Sequence, residues 1–284
     1  VGNYNPTITP SGPTTFCSGG SVIISTQTST NYTYKWLKNS ILISGATSSS
    51  LSINSSGNYA VEVNESSSGC VYTSLPVSVV VNSLPVATIS ANGSTTFCAG
   101  GNVGLVSNSG LGLTYQWKKN GLNITGATSS TYSATSTSSY KCLVINSNGC
   151  SRASNTIFVT VNPLPTASIS ALGTTQICAG DSVGLIANIS PGVTYQWKKY
   201  ANPISGAIAS NYYASTTGNY KCVITNQYGC ARTSNTVGVG VICRESDPYT
   251  GLNLVIQNEV LTIQGIDEMI SLVTVYDIAG RLML

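Results

Sequence analysis

Nine cysteines and nine carboxylates carry most of the reactive chemistry open to this 284-residue chain, which contains no histidine. Without imidazole there is no Ser-His-Asp or Cys-His catalysis and no His-ligated zinc. The cysteines stand at 17, 70, 98, 142, 150, 178, 222, 230 and 243, and nowhere form the Cys-x-x-Cys spacing of zinc or iron–sulfur sites. Glycoside hydrolysis needs two carboxylates roughly 5–10 Å apart, yet residues 1–243 hold only Glu62, Glu65 and Asp181, with no equivalents between copies. Asp267-Glu268 lies in no Asp-x-Asp-x-Asp-Gly calcium loop. The expectation is a protein with no catalytic residues, no metal and no cofactor.

Composition narrows the setting. Twelve Lys plus Arg against nine acids give a net charge of +3, far short of the basic footprint of nucleic-acid binding. Only 7% of residues are charged, and the chain is rich in Ser and Thr, which reads as an extracellular surface. No run approaches 18 consecutive apolar residues, so no transmembrane segment is expected. The chain opens on Val1 rather than Met, and an export signal is expected to have been removed.

An internal repeat organises the chain. Phe16-Cys17-Ser18-Gly19-Gly20 recurs 81 residues later as Phe97-Cys98-Ala99-Gly100-Gly101, and 80 later again as Ile177-Cys178-Ala179-Gly180-Asp181. Tyr34-Lys35-Trp36, Tyr115-Gln116-Trp117 and Tyr195-Gln196-Trp197 follow the same period. The repeats span 1–84 (with an N-terminal strand segment at 1–10), 85–164 and 165–243, and a different module occupies 244–284. Pro-bearing connectors at Asn82-Ser83-Leu84-Pro85 and Asn162-Pro163-Leu164-Pro165 leave little slack between neighbours. Apolar residues alternate at period two, as in Tyr59, Val61, Val63, so each copy is expected to be a β-sandwich.

Each copy resembles an immunoglobulin-like domain. Trp36, Trp117 and Trp197 correspond to its strand-C tryptophan, and Tyr59, Tyr140 and Tyr220 to its tyrosine corner. Where that family places its inter-sheet disulfide, this chain has Ile24, Leu105 and Leu185 on strand B against Val61, Cys142 and Cys222 on strand F. Each copy has instead one cysteine before strand B and one after strand F. The first copy holds only those two, so the expected pairs are Cys17–Cys70, Cys98–Cys150 and Cys178–Cys230. Cys142 and Cys222 are left facing the core, and Cys243 is either free or bridged to another chain.

In the last module acids predominate: residues 1–243 sum to +7 and residues 244–284 to −4. Val273-Thr274-Val275-Tyr276-Asp277-Ile278-Ala279-Gly280-Arg281 resembles the C-terminal sorting domain of type IX secretion substrates. That resemblance implies export through the outer membrane of Bacteroidota to the cell surface or the medium. Strands are expected at 252–257, 260–263, 270–278 and 281–284. The chain stops at Leu284, about where that family's later strands should begin. So short a module has too little core to close alone, and an open edge is expected. Val273, Val275, Leu282 and Leu284, with Tyr4 and Ile8 of the first segment, are the candidate contacts for self-association by strand exchange.

The sequence thus points to an all-β protein of three tandem immunoglobulin-like sandwiches plus a short β-rich tail. The expected role is a non-enzymatic surface fibre or stalk subunit that self-associates head to tail. The alternatives are an adhesin for a cell-surface glycan or protein, with Lys118-Lys119 and Lys198-Lys199 as exposed cations, and a non-catalytic spacer of a larger secreted protein.

Overall fold

The computed structural model describes residues 4–242 and the backbone of two strands at 253–257 and 260–264. The chain divides into two compact units, Val1–Pro163 and Leu164–Leu284. Two repeats lie in the first unit and one in the second. Among the described residues there is no helix, and so none long and apolar enough to cross a membrane.

The first repeat contains β1 (Thr9–Pro10), β2 (Thr15–Cys17), β3 (Val22–Ser25), β4 (Tyr32–Lys38), β5 (Ile41–Leu42), β6 (Ser50–Ile53), β7 (Gly57–Glu65), β8 (Val71–Thr73) and β9 (Val77–Asn82). One sheet has the order β1-β3-β6. The other runs β2-β9-β7-β4-β5, with β8 also paired to β7. All pairings are antiparallel except β2 with β9. The same two sheets recur in the second repeat, from β10 (Ile89–Ala91) to β18 (Ile157–Asn162), and in the third, from β19 (Ile169–Ala171) to β27 (Val237–Ile242). This is the immunoglobulin-like sandwich three times over. A separate antiparallel hairpin, β28 (Asn253–Gln257) with β29 (Val260–Gln264), starts and ends within a residue of the expected strands.

The period-two patterning fills the space between the sheets. On β7, on β16 (Ser138–Ile145) and on β25 (Gly218–Thr225), every second residue is buried. Trp36, Trp117 and Trp197 are fully buried and stand directly across from Val61, Cys142 and Cys222. Each indole Nε1 donates to the carbonyl twelve residues on, at Ser48, Ser129 and Ala209 (2.8–2.9 Å), which satisfies the one polar atom these side chains bury. Ile24, Leu105 and Leu185 complete the centre with no exposed surface. Each such aliphatic side chain contributes roughly 1.5–3 kcal/mol of burial, so the position of the missing inter-sheet disulfide is filled by packing.

The hydroxyls of Tyr59, Tyr140 and Tyr220 each donate to the carbonyl four residues upstream, at Ser55, Ser136 and Thr216 (2.8–3.0 Å). These bonds pin the chain where it crosses from one sheet to the other. In the second and third repeats another ring, Tyr132 or Tyr212, stacks between this tyrosine and the tryptophan at 5.7–5.8 Å. Leu51 holds that place in the first. The hairpin from β13 (Thr114–Lys119) to β14 (Leu122–Asn123) turns on Asn120 at φ 49° and Gly121 at φ 84°, the backbone that a two-residue turn requires.

Tyr4 and Ile8, expected in a strand donated to another molecule, pack instead against the core of their own repeat. The Tyr4 ring lies 5.1 Å from that of Tyr32 and 5.2 Å from that of Tyr72. Ile8 is the counterpart of buried Ile89 and Ile169, so withdrawing it would open the first sandwich. The other expected assembly residues, Val273, Val275, Leu282 and Leu284, lie outside the described residues. So do Cys243, the strands expected at 270–278 and 281–284, and the run Tyr276–Arg281.

Candidate functional site: a covalent joint between repeats

The cysteine pairs expected within each repeat do not form, and strand direction explains why. Strand β2 runs parallel to β9, bringing Cys17 abreast of Asn82, where the chain leaves for the next repeat. Strand β7 runs the opposite way: Tyr59 pairs with Val77 at the start of β9, and Glu65 extends beyond it. Cys70 follows Glu65 and leads into β8. At about 3.3 Å per residue, the two cysteines of one sandwich are separated by roughly 35 Å. A disulfide tolerates a Cα–Cα distance of only about 4.4–6.8 Å.

Cys17 bonds instead to Cys150 of the second repeat, with a Cα–Cα distance of 5.6 Å across a sequence separation of 133. Cys17 lies at the C-terminal pole of its sandwich and Cys150 at the N-terminal pole of the next, so the connector brings the two together. Cys150 is fully buried. Beside it, the Asn146 Nδ2 donates to the carbonyl of Ser83 in the connector at 2.9 Å. The Asn146 Oδ1 accepts from the backbone N–H of Asn148 and of Cys150. The joint therefore combines a covalent bond with a side chain that fixes both the connector and the cysteine loop. Cys98 and Cys230 are also disulfide-bonded. Cys70 and Cys178, expected in pairs, are exposed free thiols.

The family described as "Domain of unknown function (DUF8696)" matches residues 87–163, the second repeat. No curated protein matches the sequence. Among solved structures, the I-band fragment I67–I69 of titin is 12% identical, with 85% of this chain and 100% of that one covered at a TM-score of 0.42. The three N-terminal domains of the outer capsid protein Hoc of bacteriophage RB49 are 14% identical (84% and 99% covered, TM-score 0.32). Extracellular domains 3–5 of Drosophila OTK are 16% identical (82% and 95%, TM-score 0.34).

The remaining cysteines of the described residues, Cys142 and Cys222, are buried free thiols opposite the tryptophans. Burial raises both thiols above their usual range, although hydrogen bonds, including one from the backbone of Gln116 or Gln196, oppose the shift. They stay protonated at neutral pH, and the thiolate is the reactive form. Alkylation of monomeric native protein with iodoacetamide is thus expected to modify Cys70 and Cys178 while sparing Cys142 and Cys222 until denaturant is added. Peptide mass mapping before and after unfolding checks this, and early labelling of Cys142 would contradict the packing described above.

Among the described residues the three carboxylates, Glu62, Glu65 and Asp181, do not gather at one site, and Glu62 is opposite Lys35 on β4. Glu62 faces Thr73 along β7, the Glu65 Oε2 accepts from the hydroxyl of Ser68 in the same loop, and Asp181 sits exposed in the turn after Cys178. Among the described residues, no three His, Cys, Asp or Glu gather in a metal-holding group. Of the lysine pairs that follow the tryptophans, Lys118 is opposite Lys141 and Lys198 opposite Lys221.

Proposed function

We propose that this chain is a non-enzymatic extracellular structural protein, a stalk or surface-fibre subunit in which a disulfide staples one sandwich to the next. The Cys17–Cys150 bond between repeats carries this reading. A disulfide inside a domain protects that domain alone, whereas one across a junction suppresses bending at the connector and redirects force. Tension entering at the N-terminus crosses from Cys17 to Cys150 through the sulfur atoms and bypasses the chain between them. Such bonds persist in oxidising surroundings, which fits a surface poor in charge. Single-molecule stretching of the full chain tests the proposal. Adding reductant is expected to release about 450 Å of extra contour length, from roughly 3.4 Å per residue over the separation of 133. Equal extension with and without reductant would overturn it.

Adhesion to an anionic glycan is a second reading, favoured by the lysine pairs. Like charges directly opposite one another on a sheet are destabilising. Lys198 and Lys221 also share an open concavity with Tyr200 and Asn219. The expected result is salt-sensitive binding to a sulfated polysaccharide that falls at least tenfold in a K141A/K221A double variant. Equal binding by that variant would remove the reading.

A further inference from the structure

The joint between the first two repeats leaves its two halves unused elsewhere in the molecule. Cys178 is the counterpart in the third repeat of Cys17, and Cys70 is the counterpart in the first repeat of Cys150. Of the six cysteines at these two positions, Cys17, Cys98, Cys150 and Cys230 are disulfide-bonded, while Cys70 and Cys178 are exposed thiols. The unused pair is thus one half at the N-terminal pole of the first repeat and the complementary half at the C-terminal pole of the third.

Both halves share backbone features with their bonded counterparts, although the loop that leads to Cys70 is one residue longer than that to Cys150 and Cys70 N–H donates to the Ser68 hydroxyl in place of an Asn side chain. Cys17 ends a strand in parallel register with Asn82, and its carbonyl accepts from Gly20 N–H at 3.0 Å after a turn on Gly19 at φ 96°. Cys178 ends a strand in parallel register with Ile242, and its carbonyl accepts from Asp181 N–H at 3.1 Å after Gly180 at φ 91°. On the other side, Gly149 precedes Cys150 at φ 76° and Gly69 precedes Cys70 at φ 72°. The carbonyl of each cysteine accepts a 3.0 Å bond from the residue that opens its loop, Asn146 or Glu65. The Cys178 side also opens onto a surface concavity of about 640 Å³, lined by Leu172, Gln176, Ile177 and Asp181 among others. Bonded Cys150 is wholly buried and Cys70 is not, so what covers the first is missing from the second.

We propose that chains join head to tail through a disulfide between Cys178 of one chain and Cys70 of a second copy, repeating the Cys17–Cys150 joint between molecules. The proposal rests on the structural reading above and supplies its polymerisation step. The two thiols form one S–S bond and release two protons and two electrons. A small-molecule disulfide such as oxidised glutathione takes these up and leaves as two thiols. The complementary halves differ in kind, so the contact is heterologous and propagates into a chain instead of closing a symmetric dimer.

Full-length protein incubated in a glutathione redox buffer and run on a non-reducing gel tests this. Wild type is expected to form a ladder that reductant collapses to monomer, and C243S is expected to form the same ladder. C70S and C178S alone should stay monomeric, while an equimolar mixture of the two gives dimer and nothing larger, because each variant supplies the half that the other lacks. Circular dichroism of each variant confirms folding, and peptide mapping should recover a Cys70–Cys178 cross-link. A wild type that stays monomeric, a dimer from either variant alone, or a Cys178–Cys243 peptide would each overturn the proposal. If the ladder fails while the Cys17–Cys150 peptide and the reductant-dependent extension persist, polymerisation through these cysteines is wrong and the stapled stalk stands.

Discussion

Replacing Trp117 by alanine is expected to destabilise the second repeat by about 3–5 kcal/mol, the range for emptying a buried aromatic site. The indole is fully buried, lies directly across from Cys142 and stacks on Tyr132 at 5.7 Å. Its Nε1 donates to the carbonyl of Ser129, so the substitution leaves a cavity and also orphans an acceptor. Small domains have only about 5–15 kcal/mol in hand, so the variant should approach the limit of folding. Hydrogen exchange of the β13 and β16 amides in denaturant reports this repeat separately from its neighbours. A loss under about 1 kcal/mol would mean that the core is not organised around the indole. Trp36→Ala should follow the same course without the stacking term, because Leu51 replaces the tyrosine there.

The second large effect concerns the joint. C150S is expected to lower the stability of the first unit by about 2–5 kcal/mol, since a cross-link over a separation of 133 restricts the unfolded chain by roughly 5 kcal/mol on the loop-entropy description. It also leaves Cys17 unpaired and puts a hydroxyl where the sulfur was buried. C70S, which removes an exposed, unbonded thiol, is expected to change stability by less than about 0.5 kcal/mol. Denaturation midpoints of the two variants, measured without reductant, give the comparison. If C70S proved as costly as C150S, the connectivity would have to be the one within repeats.

Much of the architecture was legible because it depends on local pattern. The period near 80 residues, the alternation on each strand and the recurring tryptophan and tyrosine were enough to place three sandwiches, with Cys142 and Cys222 in their cores. These features act over a few residues or within one sheet, where side-chain direction follows from strand geometry. The strand segment at Tyr4 and Ile8 was harder to place. A short apolar run of this kind fits its own sheet or a neighbour's equally well, and only the vacancy that Ile8 fills in its own core decides between them.

Sequence alone determined the number of repeats, their fold and which cysteines stand at equivalent positions. The partner of each cysteine depended on tertiary structure. Counting two cysteines in the first copy suggested a bond between them, but β2 runs parallel to β9 and β7 antiparallel to it, which carries Cys17 and Cys70 to opposite poles. That parallel pairing joins residues 65 positions apart and leaves no mark in local hydropathy. A disulfide forms where two Cα atoms approach within about 6 Å, and that distance was set by the abutting ends of consecutive sandwiches.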